Sequence, residues 1–472
     1  MEQVQKKKMD FTEGKVFFKL LRFILPIVAT NLLQTFYNAA DMMVVSLSHE
    51  ENAVGAIGTT GAFIGLTVNF FIGFAVGANV VVAREIGAKN KERTQNAVHT
   101  ALVMGALLGI VCMLLGFIIS RPVLRAMGNT GNLLNLAVRY TFFYFLGVPF
   151  LSLTNYLIAI FRAKGDSKTP LIVLSVAGIF NVGLNVFFVL VAGLSVEGVA
   201  IATALANLLS FIVLLIKLRR DEDYTTFSFA RLCIEKQALK NILINGIPAG
   251  IQSVLFNFSN MLIQSSVVTV NNSLVASGTE YAPIVNGSAA SGNLEGFVYT
   301  AMNAVYQGAI TVTSQNIGAK KVRRVKRILY SSLLAVFSIG VFMSAIVYGF
   351  RYPLLGLYGL KGGAEGGLEA IALEAALTRL KMVMIFYFLC GTMEVCSGVL
   401  RGMGRAVVST VISLIGACLF RVVWLWTVFP VNPTLEVIFI SYPISWLLTT
   451  ATAFTVVQIL LRKTTRTQVC EG

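Results

Sequence analysis

Long apolar stretches recur along the whole chain, and each is long enough to cross the hydrocarbon core of a bilayer as a helix. Because lipid supplies no hydrogen-bond partners, a spanning backbone must satisfy its own N–H and C=O groups, which a helix does within one segment. The sequence therefore predicts an all-α membrane protein with 12 transmembrane helices. We place the spans at residues 18–46, 53–83, 94–119, 133–162, 169–193, 196–218, 240–268, 284–314, 325–349, 378–400, 406–429 and 434–461.

The balance of apolar and charged residues excludes an ordinary soluble protein. Hydrophobic residues make up 56% of the 472 positions and charged residues 13%, and the mean hydropathy is +0.77. A soluble domain carries roughly 25% charged residues, which it needs to cover a surface in water. The 6 cysteines show no metal-ligand spacing, and we interpret them as small apolar residues that pack within helices.

The positions of the basic residues predict which side of the membrane each loop faces. If both termini are cytoplasmic and the spans alternate, the cytoplasmic segments and adjoining helix ends hold 30 of the 38 Lys and Arg residues. Cytoplasmic loops of membrane proteins carry such an excess, so we expect a multi-pass protein of a bacterial cell membrane with both termini inside. The net charge of +16 then needs no nucleic-acid partner, because the basic residues are spread over short loops.

Short motifs repeat in the same order in the two halves of the chain, which indicates an internal duplication. The string Ile-Gly-Ala-Lys occurs at residues 86–89 and again at 317–320, an offset of 231 positions. Arg-Ala-Lys-Gly at residues 162–165 corresponds to Arg-Gly-Met-Gly at 401–404, an offset of 239. We interpret the Ile-Gly-Ala-Lys strings as structural, because glycine can end a helix and lysine can meet lipid headgroups at the membrane surface.

The duplication predicts two lobes of six spans each, residues 1–225 and 226–472. Since six is an even number, both lobes enter the membrane from the same side, as parallel repeats related by an axis along the membrane normal. This arrangement is typical of transporters whose substrate site lies between two lobes that rock against each other. The sequence has no Walker A motif, so we expect an ion gradient, and not ATP, to drive transport.

Asp41 is an acidic residue within the first predicted span, at the end of a polar stripe along one helix face. An ionised Asp near mid-membrane costs about 2.5–3.5 kcal/mol on insertion scales, so such a residue normally faces a cavity with polar partners. It is a candidate for binding a coupling ion, and the alternative is a structural residue that fixes helix packing. The other members of the stripe are Gln34, Tyr37 and Asn38, and Asn181 and Asn185 of the fifth span could face Asp41.

The second half carries two further acidic residues within spans, Glu295 and Glu394. The stripe around Glu295 contains aromatic rings, and a carboxylate beside aromatic rings is a suitable surface for an organic cation. We expect Glu295 to matter more for the substrate, and we expect Glu394, which has few aromatic neighbours, to form a polar contact that holds its helix in place. For each acid the other of these two roles remains the alternative. The remaining candidates for the lining of a substrate cavity are Tyr299, Met302, Asn303 and Tyr306.

The order of these motifs resembles that of the multidrug and toxic compound extrusion (MATE) transporters. In the first half the resemblance rests on Pro26, Gln34-x-x-Tyr37-Asn38-x-x-Asp41, Ala83–Ala88 and Arg162–Asp166. In the second half it rests on Gln315–Ala319 and Gly398–Gly404, so it covers nearly the whole chain. It implies two six-helix bundles around a central cavity. It also implies export of organic cations or amphipathic drug-like compounds by antiport with H+ or Na+. We expect a monomer within the lipid bilayer and no cofactor beyond that ion.

By this resemblance Asp41 is the residue that couples transport to the ion, and Na+ at Asp41 would be the only metal. The resemblance places a polar cluster in the first lobe, formed by Gln34, Tyr37, Asn38, Tyr140, Asn181, Asn185 and Thr203. Asn185 departs from the proton-coupled members, which commonly carry Asp there. Phe256 and Cys390 stand where sodium-coupled members carry Glu and Asp, so the Na+ site of their second lobe is not expected here.

Two other functions remain open on the sequence. A flippase for lipid-linked precursors, from the same superfamily, would need a more cationic cavity, and Arg421 is nearly the only basic residue well inside a span. A membrane enzyme or another non-transport protein would need a reactive cluster, and the sequence contains no recognisable one.

Overall fold

The computed structural model describes residues 9–45, 53–221, 223–274, 282–362 and 367–470, and the regular elements within these ranges are all helical. This confirms the prediction of an all-α protein. The helices of the first half are α1 (Val16–Val45), α2 (Ala53–Gly87), α3 (Lys91–Ala126), α4 (Gly131–Ala163), α5 (Lys168–Val186) and α6 (Val196–Arg219). Those of the second half are α7 (Lys236–Leu274), α8 (Pro283–Gly318), α9 (Val322–Gly349), α10 (Arg351–Gly356), α11 (Leu368–Met384), α12 (Tyr387–Gly402), α13 (Ala406–Ser413), α14 (Phe420–Thr427) and α15 (Leu435–Cys470).

Two π-helical segments interrupt the regular α-helical pattern. Phe187–Val191 continues α5, and Leu414–Leu419 joins α13 to α14, so each half carries one such segment in its fifth predicted span. A short 3₁₀ turn, Phe229–Arg231, lies in the segment between α6 and α7.

The helices account for the predicted membrane spans, with one correction. Among the described residues, ten helices are long and apolar enough to cross a membrane, and the pair α11–α12 supplies an eleventh span. The remaining predicted span corresponds to α8, whose 36 residues are long enough but more polar. The predicted span 378–400 begins too late. The structure starts this span at Leu368, and the prediction missed this start because charged residues interrupt the apolar pattern of α11. The two helices of the span meet at a bend of 46° before Tyr387.

The chain packs as two compact units. Unit 1 comprises the described residues of 1–14, 22–253 and 314–321, and unit 2 those of 15–21, 254–313 and 322–472. Unit 1 therefore contains most of α1, all of α2 to α6, the first part of α7 and the last residues of α8. The division of the sequence into lobes at residues 225 and 226 rests on the repeats and stays a prediction.

An apolar core of unit 1 forms where α2, α3, α4 and α6 meet. Val82, Val98, Leu157 and Leu214 are all fully buried there. Eight of the other buried residues of this core are alanine, and such small side chains let helices approach closely inside a membrane. This core positions α4 and α6 and includes Val173 of α5, and these three helices carry the candidate residues Tyr140, Asn181, Asn185 and Thr203.

The two Ile-Gly-Ala-Lys strings end α2 and α8 in the same way. Lys89 and Lys320 have positive φ angles of 55° and 58°. Each lysine N–H donates to the isoleucine carbonyl three residues earlier at 3.0 Å. The lysine, and not the glycine, therefore adopts the left-handed conformation that ends the helix.

The glycines of the strings allow the ends of α2 and α8 to cross within unit 1. A Cβ atom on Gly87 would lie 2.0 Å from the carbonyl oxygen of Gln315, and one on Gly318 would lie 1.9 Å from that of Arg84. Arg84 and Gln315 each stand three residues before the glycine of their own string, so the contact is reciprocal. We call this contact of residues 84–89 with residues 315–320 the glycine crossing.

Candidate functional site

Asp41 lies on α1 of unit 1, where asparagines of α5 face its carboxylate. Asn185 donates from Nδ2 to Asp41 Oδ1 at 2.5 Å, and the side chain of Asn185 is fully buried. Asn181 lies one turn earlier on the same face of α5, because residues four apart on a helix are neighbours. The structure thus brings these three candidate residues together.

The side-chain amide of Asn181 completes this contact in one of its two orientations. With its nitrogen toward the carboxylate, Asn181 donates to Asp41 Oδ1 at 2.8 Å, and its oxygen accepts from the backbone N–H of Thr203 at 3.2 Å. The opposite orientation points the amide oxygen only at acceptors and the nitrogen only at donors. Because hydrogen-bond partners decide the orientation of an amide, we assign the first one.

Oxygen atoms of α5 and α6 make this cluster suitable for a small hard cation. Thr203 Oγ1 lies 3.4 Å from the Asn181 amide, and Asn185 Oδ1 is buried without a hydrogen bond from the described residues. Hard cations bind carboxylate, amide and hydroxyl oxygens, whereas a proton needs the carboxylate alone. The residues present therefore fit either Na+ or H+. Asp41 supplies the one carboxylate among the described contacts of this cluster, and the described residues contain no group of three or more His, Cys, Asp or Glu that could hold a metal ion.

Two tyrosines of α4 stand near the same carboxylate. Tyr140 and Tyr144 are one helical turn apart, with their ring centroids separated by 6.1 Å. Both lie close enough to Asp41 to interact with its charge. The sequence analysis included Tyr140 and missed Tyr144, although the four-residue spacing from Tyr140 would have identified it.

Tyr37 of α1 contacts α5 through a hydrogen bond and through its ring. Its hydroxyl donates to the carbonyl oxygen of Ser175 at 3.1 Å. Its ring covers Gly178 so closely that a Cβ atom there would lie 1.9 Å from Tyr37 Cε2. Of the other stripe residues, Gln34 is exposed and makes no hydrogen bond with the described residues, and the side chain of Asn38 lies outside them.

In unit 2, Glu295 of α8 forms a buried ion pair with Arg379 of α11. Arg379 donates from Nε to Oε1 at 2.7 Å and from Nη2 to Oε2 at 2.8 Å, so both carboxylate oxygens are engaged. Nη1 of Arg379 also donates to the hydroxyl of Ser288 at 2.9 Å. The sequence analysis missed this pair, because Arg379 lies 84 positions after Glu295 and falls at the very start of the predicted span 378–400.

A row of polar side chains follows α8 and reaches α12. Gln307 donates from Nε2 to Asn303 Oδ1 at 2.5 Å, and Asn303 Nδ2 lies 3.4 Å from the hydroxyl of Tyr299. Arg401 of α12 donates from Nη1 to the hydroxyl of Tyr306 at 2.6 Å. The structure therefore joins three of the predicted cavity residues to two residues, Gln307 and Arg401, that the prediction did not include.

Glu394 of α12 lies beside this row. It is near enough to Tyr299, Tyr306 and Arg401 for electrostatic interaction, yet it forms no ion pair or hydrogen bond with the described part of the chain. Tyr299 is 37% exposed, whereas Met302 is buried and packs against α9 and α12. Of the two candidate acids of unit 2, Glu394 is thus the one whose carboxylate is not neutralised at contact distance by a described residue.

Known proteins are similar in sequence to most of this chain. The model of the MatE family matches residues 26–187 and 248–427. "Probable multidrug resistance protein YoeA" of Bacillus subtilis (strain 168) is 28% identical over 403 residues, which are 83% of this chain and 82% of that protein. "Multidrug export protein MepA" of Staphylococcus aureus (strain NCTC 8325 / PS 47) is 23% identical over 421 residues, 88% of each.

Solved structures share the fold at low sequence identity. One is described as the outward-facing conformation of a multidrug resistance MATE family transporter of the MOP superfamily. Its fold matches that of this chain with a TM-score of 0.88 at 18% sequence identity, and the match covers 98% of this chain and 100% of that chain. A MOP superfamily transporter from Pyrococcus furiosus Vc1 (DSM3638) has a TM-score of 0.87 at 19% identity, over the same shares.

Proposed function

Because the chain belongs to the MatE family, we propose that it is a secondary transporter that exports organic cations or other amphipathic compounds by antiport with H+ or Na+. The relatives named as multidrug resistance or export proteins support the substrate class. The observation that carries the proposal is the Asp41 cluster, in which two amides hold a single carboxylate within a membrane-spanning helix.

Asp41 would couple the ion to movement through the hydrogen bonds that it accepts. The ionised carboxylate accepts charge-assisted bonds from Asn185 and Asn181, which are roughly twice as strong as bonds between neutral groups. A bound proton or Na+ neutralises the carboxylate and weakens these bonds. Since the bonds join α1 to α5, ion binding changes how firmly the two helices are held together.

The orientation that we propose places both termini in the cytoplasm of a bacterial cell. It is supported by the excess of basic residues in the segments assigned to that side. We also propose that the protein works as a monomer, since the duplication supplies both six-span lobes of the transport unit within one chain.

For the substrate contact in unit 2 we propose Glu394, with Tyr299 and Asn303 beside it. The sequence analysis favoured Glu295 for the substrate and Glu394 for a structural contact, and the ion pair of Glu295 with Arg379 supports the opposite assignment. A carboxylate engaged by a guanidinium through both oxygens has little capacity left for another cation. Glu394 has no such partner among the described residues, and the exposed ring of Tyr299 could lie against a flat cation.

Transport by purified protein in liposomes tests this function. We expect a fluorescent organic cation to move against its gradient when an opposite H+ or Na+ gradient is imposed. The Glu394→Gln variant should lose several-fold in apparent affinity for the cation, while Glu436→Gln, at an exposed acid in the first turn of α15, should behave like the parent protein. Absence of dye movement under either gradient, with folded protein in the membrane, would contradict the proposal.

A further inference from the structure

We infer that Arg421 of α14 and three aromatic side chains of unit 2 form a binding subsite for the carboxylate of an aromatic compound. The inference deepens the proposed function, since it names an anionic group that some of the exported amphipathic compounds would carry. It rests on that function for export alone, because binding at the subsite needs no ion gradient. The aromatic members of this Arg421 subsite are Tyr387 of α12 and Tyr442 and Trp446 of α15.

Arg421 carries a buried positive charge without a carboxylate partner among the described residues. It is 2% exposed, and the described side chains that interact electrostatically with it are those of two tyrosines and two cysteines. Arg379 of the same unit, by contrast, is neutralised by Glu295. A charged side chain inside a membrane span is costly unless it is paired, and such residues commonly contact a substrate or an ion. The charge of Arg421 therefore favours an anionic ligand.

Most hydrogen-bond donors of the Arg421 guanidinium are also unused within the described part of the chain. A guanidinium has five N–H donors and no acceptor. Nε donates to the hydroxyl of Ser445 at 3.0 Å, whereas Nη1 and Nη2 form no hydrogen bond with a described residue. The N–H groups of a guanidinium form a fork that matches the two oxygens of a carboxylate. Nη1 and Nη2 thus provide a place for such a group.

The three aromatic side chains bring further donors to the same place. Arg421 Cζ lies 4.1 Å from the ring centroid of Tyr442 and 5.6 Å from that of Trp446. The ring centroid of Trp446 lies 5.5 Å from that of Tyr442 and 5.4 Å from that of Tyr387. All three rings are buried, yet neither the tyrosine hydroxyls nor the indole N–H forms a hydrogen bond with a described residue. Buried Tyr and Trp usually have such a partner, which a bound acceptor would supply here.

These groups fit an aromatic monocarboxylate better than a phosphate or a halide ion. The guanidinium and the indole can only donate, so the ligand must supply the acceptor atoms. A single unpaired guanidinium compensates one negative charge, which a carboxylate carries and a phosphate monoester exceeds. The rings offer flat apolar surface to another ring, and a halide ion would leave that surface unused.

The Arg421 subsite lies beside the substrate contact that we propose at Glu394. Cys390 of α12 precedes Glu394 by one helical turn, and it is close enough to both Glu394 and Arg421 to interact with each charge. Both groups belong to unit 2. An anion held by Arg421 would therefore be bound next to the residues that contact the exported compound, and not at a separate surface.

Equilibrium binding of 2-naphthoate to the purified full chain in detergent tests the subsite without a gradient. We expect 2-naphthoate to bind at least tenfold more tightly than 2-naphthamide, which has the same rings and no charge. Arg421→Gln should lower the affinity for 2-naphthoate at least tenfold and leave that for 2-naphthamide unchanged. The matched control is Arg405→Gln, at an exposed arginine between α12 and α13, which should bind both compounds like the parent.

Thermal unfolding separates a binding role of Arg421 from a structural one. A compound that binds only the folded state raises the unfolding temperature. We expect 2-naphthoate to raise it for the parent and for Arg405→Gln, and to leave Arg421→Gln unaffected. Tyr387→Phe keeps the ring and removes only the hydroxyl, so it should fold like the parent and lose several-fold in affinity for 2-naphthoate.

Equal affinities of the parent for 2-naphthoate and 2-naphthamide, or equal 2-naphthoate affinities of the parent and Arg421→Gln, would overturn the inference. If Arg421→Gln does not fold, Tyr387→Phe decides, and an unchanged affinity of that variant overturns the inference as well. Stabilisation of the parent by chloride and not by 2-naphthoate would also overturn it, because the site would then hold an inorganic anion. Binding of 2-naphthoate through Arg421 by protein that moves no dye under either gradient would instead contradict the proposed function and support the subsite.

Discussion

At the scale of single residues, the three candidate acids Asp41, Glu295 and Glu394 differ in what surrounds them. Asp41 accepts hydrogen bonds from neutral amides, which leave its charge available to an ion. Glu295 is paired with the guanidinium of Arg379 through both oxygens. Glu394 has neither kind of partner among the described residues. These surroundings support the separate roles that we propose for the acids, in ion coupling for Asp41, in structure for Glu295 and in substrate contact for Glu394.

Removing one partner of the buried pair should destabilise unit 2 more than removing both. Glu295→Gln leaves the Arg379 guanidinium without a counter-charge, which costs about 3–5 kcal/mol for a buried pair. The double variant Glu295→Gln/Arg379→Gln should recover part of that loss, since it leaves no uncompensated charge. Thermal unfolding in detergent measures both. A double variant that unfolds at a lower temperature than either single variant would show that the pair is not the structural contact described here.

At the scale of helices, close contacts at glycines decide how neighbouring elements meet. The ring of Tyr37 occupies the space where a side chain at position 178 would stand, and this contact sets the distance between α1 and α5. Since Asp41 follows Tyr37 by one turn on α1, the same contact also positions its carboxylate against Asn185. The distance between the Asp41 carboxylate and the asparagines of α5 therefore depends on Gly178, a residue that carries no polar side chain.

Gly178→Ala should disturb this cluster, whereas Gly183→Ala should not. The added methyl group at position 178 would lie 1.9 Å from the Tyr37 ring, so α1 must move away from α5. A methyl group at position 183, on the same helix, meets nothing within 4 Å. We expect Gly178→Ala to lose at least tenfold in gradient-driven transport and Gly183→Ala to keep the parent rate. Equal rates for the two variants in liposomes would contradict the importance of this contact.

The helices could be predicted from the sequence more fully than their contacts. Apolar runs mark the spans because the bilayer imposes the same length and composition on each of them. The start of α11 could not be placed in this way, since Arg379 resembles a loop charge until its partner 84 positions earlier is known. The glycine crossing was also missed, because a short motif does not reveal which backbone lies against it.

At the scale of the whole molecule, the duplication is visible in local structure as well as in sequence. The two strings end their helices with the same lysine geometry, and their glycines make the same contact in opposite directions. Each half also contains a π-helical segment in its fifth span. Such segments are frequent at functional sites, and the first of them follows Asn185 by two residues.

The orientation of the chain can be tested with its own cysteine. Cys233 is exposed in the segment between α6 and α7, which we place in the cytoplasm. In a Cys470→Ser background, a membrane-impermeant maleimide should label Cys233 only after the cells are permeabilised, and Cys233→Ser should abolish that signal. Labelling of Cys233 in intact cells at the rate seen after permeabilisation would reverse the orientation.

The central claim is that the carboxylate of Asp41 couples an ion gradient to export. The most direct test is dye transport by Asp41→Asn in liposomes under imposed H+ and Na+ gradients, with Glu436→Gln as the control. The variant keeps the shape and hydrogen-bonding capacity of the side chain but cannot ionise, so it should insert, unfold near the parent temperature and bind dye. We predict that neither gradient drives transport by Asp41→Asn, whereas the control matches the parent. Transport by Asp41→Asn at the parent rate under either gradient would contradict the claim.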